Sequence, residues 1–440
     1  MSRPRGLVAI VILGVLGTIA IWTTNSLYGD IFRQYTNTQA GTYSDFSQRW
    51  LGTRVALLEG GNPYSPAMEP RIQLLYYGHV LQADDPHRPS DPQAFDYPLY
   101  LVWLIWPLAL LPFPLAAALF KLLAVLLLTA GTYAYLTMLG WPGPGARLVL
   151  AGGCVVTLAG QAIVRNDQLT VVVYGLLLAA VYAAWKQYFA VAGVLLALAW
   201  IKPQLALLLT VGLVLWAGTG GARRRLLAGA AGTAVLLLVS TEWLLPGWIG
   251  AWGGTLGNYA ATTSGFQGLA SYRLIDWIGL ALRGGLGLAT LAIWWRVRQA
   301  PLGDLRVQVA IAMSLVVTTA VQQPWYTYNL VLLYPPLLLL VAHLTGRPLA
   351  SPLVPPRGLG WIAVTVFAAP WVVYTLLAGA YLVQLVPAQG LAWPSFAGLV
   401  LVTERVVINA TILTLLFAYV AWSATLFAAG PAANNVAAGA

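Results

Sequence analysis

Long apolar stretches alternate with short polar connections along most of the chain. Each stretch approaches the roughly 20 apolar residues that a helix needs to cross about 30 Å of hydrocarbon. About twelve candidate spans meet this description, at approximately 7–22, 97–112, 114–139, 148–164, 168–185, 189–217, 226–245, 272–294, 306–322, 328–345, 358–383 and 395–428. The pattern predicts an all-α polytopic membrane protein in which residues 1–440 form a single transmembrane domain.

The longest polar connection covers residues 24–96, between the first two predicted spans. Its first half contains apolar residues at helical spacing, namely Tyr43, Phe46, Trp50 and Leu57. We therefore predict an amphipathic helix at 43–59, ended by Gly60-Gly61 and lying on the outer membrane surface. A second surface helix is predicted at about 71–82, with the apolar face Ile72, Leu75, Tyr76 and Val80.

Composition supports lipid as the solvent of this chain. Hydrophobic residues make up 59% of the sequence and charged residues 8%, against about 25% charge in a typical soluble domain. The single cysteine, Cys154, falls inside a predicted span and excludes a disulfide framework. A second polar loop is predicted at 246–271, and the low-complexity tail 430–440 is predicted to be disordered.

Basic residues indicate the orientation. If the N-terminus is cytoplasmic, alternation of the spans places on the inside Arg3, Arg5, Arg165, Arg223 to Arg225, Arg296, Arg298, Arg306, Arg347 and Arg357. The outside connections after residue 96 carry almost only Arg147 and Lys186. This positive-inside bias predicts a multi-pass protein of the cell (plasma or inner) membrane, with loop 24–96 extracytoplasmic. It also accounts for the net charge of +10, so no nucleic-acid partner is expected.

Acidic residues are concentrated in the first loop. It holds eight of the thirteen in the chain: Asp30, Asp45, Glu59, Glu69, Asp84, Asp85, Asp91 and Asp96. Several short motifs follow one another in a distinctive order: Asp45-Phe46, Gly60-Gly61-Asn62-Pro63-Tyr64, Phe95-Asp96-Tyr97-Pro98, Gly160-Gln161, Lys202-Pro203-Gln204, Ser271-Tyr272-Arg273 and Gln323-Pro324-Trp325-Tyr326. In their order and their placement between spans, these motifs resemble the GT-C glycosyltransferases, specifically glycosyltransferase family 87.

The resemblance implies a GT-C-type bundle and an enzyme of the cell envelope. It implies a hexosyltransferase, most simply a mannosyltransferase, that takes a sugar from a polyprenyl phosphate and inverts its anomeric carbon. The acceptor would be an extracytoplasmic glycan, glycolipid or protein. The sequence departs from the family pattern at Leu99, where a second proline is more usual, and at Gln322-Gln323, where many members carry a histidine.

Asp45 is the candidate general base, because it matches the acidic residue of the family's first loop. The alternative is structural: Thr42 caps the helix and Asp45 lies in its first turn, where the helix dipole favours an acid. The two roles are compatible. Arg49, one turn later, either holds a sugar or phosphate or forms an i,i+4 pair with Asp45.

Lys202 is the second candidate that the residues themselves indicate. A lysine inside a span costs a few kcal/mol unless it faces a cavity or a partner, and a lipid phosphate is a suitable partner. The alternative is a purely structural lysine. Tyr97 and Tyr326 are either interfacial belt residues or stack on a sugar ring. The resemblance adds Tyr64, Gln161, Arg273 and Gln323 to the donor-phosphate or sugar-binding set.

Residues 165–168, Arg-Asn-Asp-Gln, form a polar cluster between two spans. Simple alternation places it inside the cell as a solvated turn, and a re-entrant arrangement that lines the site is the alternative. No metal site is expected, because His79, His87 and His343 are widely spaced. No cofactor is expected either, since the phosphate of the donor already makes the leaving group good.

The rival functions are a secondary transporter, a flippase for a lipid-linked substrate, and an envelope polymer ligase or polymerase. Transporters usually show paired repeats with broken segments at matching positions, and this chain shows no such pairing. A long acidic loop between the first two spans also disfavours a transporter. The ligase and polymerase architectures carry their large loop in the C-terminal half, whereas here the larger loop comes first.

The predicted topology can be tested by cysteine labelling in a Cys154→Ser background. Cysteines at Ser65 or Ser90 should react with a membrane-impermeant thiol reagent in intact cells, because loop 24–96 is predicted to face outwards. A cysteine at Thr219, in a predicted inside connection, should react only after permeabilisation. Protection of both loop positions in intact cells would overturn the orientation.

Overall fold

The computed structural model describes residues 41–82, 91–218, 220–263, 274–322, 326–344, 409 and 411–424. These residues form helices and connections, with no strand among them, which confirms the all-α class. By length and composition, four described helices can cross a membrane, or five if a bent pair is counted as one span. The predicted first span and the predicted span 358–383 lie outside the described residues, as does the tail 430–440.

The helices, in chain order, are α1 Phe46–Leu57, α2 Met68–Tyr77, α3 Val102–Ala109, α4 Phe113–Met138, α5 Pro144–Val155, α6 Leu158–Asn166, α7 Thr170–Trp185, α8 Phe189–Ala199, α9 Pro203–Ala217, α10 Arg224–Leu244, α11 Trp248–Thr263, α12 Leu274–Val297, α13 Leu305–Val321, α14 Tyr334–Leu344 and α15 Thr411–Ala424. Two 3₁₀ segments, Leu99–Leu101 and Thr327–Leu333, precede α3 and α14.

Helix α1 occupies the predicted position but not the predicted surface. Nine of its twelve residues are buried, including residues on the face predicted to be wet. Small residues permit this enclosure, since a Cβ at Gly52 would overlap the Phe95 ring. Helix α2 starts three residues before the predicted helix and ends at Gly78, whose φ of 80° needs glycine. Val80 is exposed and does not extend the apolar face.

The predicted span 97–112 is wrong as a full crossing. The helical residues there are Leu99–Ala109, about 16 Å at 1.5 Å per residue, and they pack beside α1. Trp50 donates to the Leu111 carbonyl at 3.1 Å and Arg54 to the Ala109 carbonyl at 2.7 Å. These bonds satisfy carbonyls at and just after the helix end, where no intrahelical N–H is available to them. The segment is therefore a companion of α1.

The predicted span 189–217 is broken in two. Helix α8 ends at Ala199 and α9 begins at Pro203, a residue that suits the first turn of a helix because it lacks the N–H that would be unpaired there. The break places Lys202 at the N-cap position of α9. Helices α5 and α6 form a second break, with an angle of 62° between them.

The break at Lys202 and the end of α6 lie at one end of the bundle, here called the site end, which also holds the start of α1. Helix α4 reaches this end through Lys121, which contacts Asp167 after α6. The basic connections lie at the opposite end, where Arg147 bonds Thr137 and Arg223 bonds the Arg298 carbonyl. Helices α4 and α7 each run from the site end to the opposite end, so Arg147 and Lys186, which follow them, lie with the other basic residues at the opposite end. Their predicted placement on the side of loop 24–96 is therefore wrong.

Glycine allows α8 and α10 to pack closely. A Cβ at Gly193 would overlap the carbonyl oxygen of Leu226, and one at Gly229 would overlap the carbonyl oxygen of Ala190. Close backbone approach through small residues is the usual way in which helices associate in lipid, where no hydrophobic effect drives them together. This contact holds the helix that leads to Lys202.

Gly193→Ala should therefore destabilise the protein, because the added methyl group must push two helix backbones apart at about 1–3 kcal/mol. Gly232→Ala on α10 is the matched control, since a Cβ there meets nothing within 4 Å. We expect a lower Tm in detergent for the first variant and an unchanged or slightly higher Tm for the second. Equal Tm values for the two would contradict close packing at Gly193.

Candidate functional site

Asp45 immediately precedes α1, and its carboxylate accepts a hydrogen bond from the side-chain amide of Gln168. Tyr76 from α2 also hydrogen bonds to this carboxylate, and the Asp45 N–H donates to the Asn166 carbonyl at 3.2 Å. Asp45 is partly buried. Burial raises the pKa of its carboxyl above the usual range, while the cations Arg49 and Lys202 oppose this shift.

The capping alternative for Asp45 is wrong in its details. The Thr42 hydroxyl donates to the Leu75 carbonyl of α2 at 3.0 Å, so it does not cap α1. Asp45 itself occupies the N-cap position, but its side chain makes no capping hydrogen bond. Its carboxylate is directed instead to Gln168 and Tyr76. A helix cap therefore does not explain this acid.

Arg49 is almost fully buried, with 1% of its surface exposed. Its guanidinium donates to the Asp167 carbonyl at 3.0 Å, to the Tyr97 hydroxyl and, at 3.4 Å, to the Gln168 side-chain oxygen. It also lies 4.7 Å from the centre of the Tyr97 ring. Within the described part of the chain no carboxylate lies within 4.0 Å of it, so the i,i+4 pair with Asp45, one of the two alternatives for Arg49, does not form.

Lys202 is also buried, at 8% exposure. Its ammonium donates to Gln168 at 2.9 Å and to the Thr170 hydroxyl at 3.3 Å, and it lies 5.5 Å from the centre of the Tyr328 ring. The Thr170 hydroxyl in turn donates to Asn329 at 3.0 Å. Among the described residues, Lys202 forms no ion pair. Its charge is met by neutral oxygens, an aromatic face and more distant acids.

Gln168 connects the candidate base to both cations. Its amide nitrogen donates to Asp45, and its amide oxygen accepts from Lys202 and Arg49. One end of the amide therefore donates a hydrogen bond and the other end accepts two, which fixes the orientation of the Gln168 side chain. The arrangement aligns a carboxylate beside two positive charges without neutralising either directly.

Asp167 holds this connection in place. It has a φ of 52° at the end of α6, and its buried carboxylate accepts from Lys121 at 2.5 Å and from the Ser44 hydroxyl at 2.5 Å. Ser44 directly precedes Asp45. The Asp167 carboxylate, which pairs with Lys121 on α4, therefore also fixes the segment that carries the candidate base. The expectation that residues 165–168 form a solvated turn on the far side of the membrane is wrong, because they contact Ser44, Asp45 and Arg49.

The remaining predicted residues divide into four groups. Tyr97 contacts Arg49, and Tyr64 donates to the Tyr97 carbonyl at 2.7 Å, so both support the site. Tyr326 is 40% exposed and stacks on Tyr328 with ring centres 5.0 Å apart. Gln161 donates to the Val156 carbonyl at 2.8 Å and belongs to the bend between α5 and α6. Arg273 and Gln323 lie outside the described residues.

Asp96 is a second acid of the site. One carboxylate oxygen, Oδ1, is buried and has no hydrogen-bond partner among the described residues. Burial raises the pKa of Asp96 to about 6, although Arg49 and Lys202 act to lower it. Among the described residues no group of three or more potential metal ligands occurs.

Sequence reasoning missed Lys121, Gln168, Asn329 and Trp252, whose indole donates to the Asp96 main-chain carbonyl at 2.9 Å. Lys121 carried a usable signal, because the cost of a lysine inside a span applies to it as it does to Lys202. Gln168 was part of the polar cluster, but the assumed crossing at 97–112 placed that cluster on the wrong side. Asn329 and the Trp252 indole carried no signal that separates them from ordinary interfacial residues.

Asp96 should give stability a specific pH dependence. A folded-state pKa raised above the usual Asp value means that the folded protein binds more protons between these two pKa values, so stability falls as the pH rises through this window. Asp96→Asn lacks the ionisation and therefore lacks this fall. We expect the Tm of the variant minus that of the wild type to be larger near about pH 7.5 than near about pH 4.5.

Differential scanning fluorimetry in detergent measures this difference. Glu59→Gln is the contrasting variant, because the Glu59 carboxylate is bonded to Arg71 at 3.0 Å, which lowers its pKa. Its Tm difference should not rise with pH. The same difference at both pH values for Asp96→Asn would contradict a perturbed Asp96.

Comparison with known proteins identifies the family. The family model described as glycosyltransferase family 87 matches residues 95–319, just over half of the chain. The match includes Tyr97, Gln161, Lys202 and Arg273, and it starts after Asp45. No curated protein and no solved structure matches the chain. With its apolar helices and this match, the chain belongs to glycosyltransferase family 87 and is a membrane glycosyltransferase.

Proposed function

We propose that this enzyme transfers a hexose, with mannose as the first candidate, from a polyprenyl phosphate to a hydroxyl of an extracytoplasmic glycan, glycolipid or protein. Asp45 acts as the general base. The observation that carries the proposal is the placement of one carboxylate, through Gln168, beside two buried cations that have no carboxylate within 4.0 Å among the described residues.

The cations suit the phosphate of the donor. A buried lysine and arginine without partner acids are costly, and an anionic ligand relieves that cost. Lys202 also occupies the N-cap position of α9, where the helix dipole favours negative charge. A phosphate held here would have its developing charge stabilised as the bond from the anomeric carbon to the phosphate oxygen breaks.

Asp45 suits the acceptor side of the same reaction. The acceptor hydroxyl gives its proton to the Asp45 carboxylate while its oxygen forms a bond to the anomeric carbon, and the polyprenyl phosphate leaves with the electron pair of the broken bond. Attack opposite the leaving phosphate inverts the configuration. Tyr97, Tyr64 and Tyr326 supply aromatic surface on which sugar rings can stack. The reaction as written needs neither a metal nor a cofactor.

The distribution of charge supports the orientation. Basic residues collect at the bundle end opposite Asp45, including Arg147, Lys186 and Arg223. Because cytoplasmic connections carry the excess of Lys and Arg, the site end faces the extracytoplasmic side. We place the enzyme in the cell (plasma or inner) membrane with its N-terminus in the cytoplasm. Membrane lipid and the lipid-linked sugar are its immediate partners. A transporter or flippase role is not favoured, given the family.

Asp45→Asn tests the base. It keeps the shape of the side chain and loses the proton-accepting charge, so transfer should fall by about 10²- to 10⁴-fold. Since Asp45 makes no capping bond, the Tm should change little. The measurement is transfer from a panel of polyprenyl-phosphate sugars to membrane glycolipids, with nucleotide sugars as the contrasting donors.

Glu59→Gln, in the same loop but paired with Arg71, should retain transfer. Lys202→Met should chiefly raise the KM for the donor, which separates loss of a phosphate contact from loss of the base. Near-normal transfer by a stable Asp45→Asn enzyme would remove Asp45 as the base. Transfer from nucleotide sugars alone would reject the polyprenyl-phosphate donor.

A further inference from the structure

Asp96 has a surplus of hydrogen-bonding capacity that the proposed reaction does not use. Its Oδ1 atom is buried and has no described hydrogen-bond partner, whereas buried polar atoms in native proteins are almost always paired. Its main-chain carbonyl is fixed, because the indole of Trp252 on α11 donates to it at 2.9 Å. The main chain of Asp96 is therefore fixed, and its carboxylate carries an unused acceptor.

Aromatic side chains lie next to Asp96. Tyr64 packs on the ring of the preceding residue, Phe95, with ring centres 5.3 Å apart, and Trp252, which bonds the Asp96 main-chain carbonyl, packs on Trp248 at 6.0 Å. Tyr64 and Trp252 are only partly buried, so each keeps an accessible surface. The buried indole nitrogen of Trp248 has no described hydrogen-bond partner, like Asp96 Oδ1. An unused donor, an unused acceptor and flat aromatic faces therefore occur in one contact cluster.

The charge of the cluster decides which ligand suits it. An acid beside Asp45 disfavours a phosphate, and the nearby positive charges of Arg49 and Lys202 make a further cation unnecessary. A neutral, polyhydroxylated ring suits these groups. Its hydroxyls can donate to the Asp96 carboxylate and accept from the Trp248 indole, while its C–H face stacks on aromatic rings. That description is a pyranose.

We propose that Asp96, Trp248, Trp252 and Tyr64 form the binding subsite for a pyranose ring of the acceptor, adjacent to the hydroxyl that Asp45 deprotonates. This rests on the proposed transfer function and extends it, because it makes the acceptor a saccharide or a glycolipid with a saccharide headgroup. The subsite joins the end of the first loop to α11 in the second loop, two elements on the site end of the bundle.

The test has a binding arm that does not depend on catalysis. Saturation-transfer NMR with the full-length protein in detergent would measure binding of methyl α-mannopyranoside and methyl β-glucopyranoside. Asp96→Asn should weaken binding of at least one probe by about tenfold, because a charge-assisted hydrogen bond is replaced by a neutral one. Glu59→Gln is the control and should bind as the wild type does. Binding by neither probe to the wild type, or equal binding to Asp96→Asn, would overturn the subsite.

The kinetic arm separates acceptor from donor. In the transfer assay, Asp96→Asn should raise the KM for the acceptor about tenfold and leave the KM for the donor within about twofold. A rise in donor KM alone would assign the ring to the donor sugar and overturn the proposal. If Asp96→Asn does not fold, Trp252→Ala, which removes an aromatic wall, should show the same loss in both arms, and wild-type behaviour of that variant would equally overturn it.

The two proposals fail in distinguishable ways. Glycoside binding that depends on Asp96, without transfer from any polyprenyl-phosphate sugar, would retain a saccharide subsite and reject the donor. Transfer that depends on Asp45 but is insensitive to Asp96 and Trp252 would retain the reaction and reject the subsite.

Discussion

Arg49 and Lys202 are both buried, and among the described residues neither forms an ion pair, so their charge is met by dipoles and by acids farther away. This electrostatic constraint organises the rest of the site. The amide oxygen of Gln168 accepts from both cations, and this orientation of the amide directs its nitrogen to Asp45. The orientation of the candidate base thus follows from how the cations are solvated.

The backbone around the site is irregular for the same reason. Uninterrupted helices satisfy their own peptide groups and leave none for other partners, whereas helix ends offer free N–H and carbonyl groups. Helix α6 ends at Asp167, and its last carbonyls receive Arg49 and the Asp45 N–H. Helix α9 begins beside Lys202. These helix ends therefore supply polar atoms inside the bundle, where side chains alone would be costly to bury.

The sequence predicted the all-helical membrane class and the position of α1, and it named Asp45, Arg49, Lys202 and Tyr97 as candidate site residues, which the structure brings together. It could not predict how the α6 turn reaches them. Hydropathy measures how apolar a stretch is, and Leu99–Ala109 is apolar because it packs beside α1 rather than because it crosses lipid. Counting it as a crossing moved residues 165–168 to the wrong side and hid Gln168. The split at Lys202 restored the alternation afterwards, which is why Arg223 and Arg298 lie at the bundle end opposite Asp45, as predicted.

Charge conservation gives a reason for this combination of groups. In the proposed reaction the donor is a phosphodiester with one negative charge, and the leaving polyprenyl phosphate gains a second as the glycosidic bond breaks. Over the same step Asp45 loses its negative charge by accepting the acceptor proton. Negative charge therefore moves from the carboxylate to the phosphate while the total stays constant. Two cations joined through one amide to that carboxylate can stabilise both states with little rearrangement, which is the condition for preorganised electrostatic catalysis.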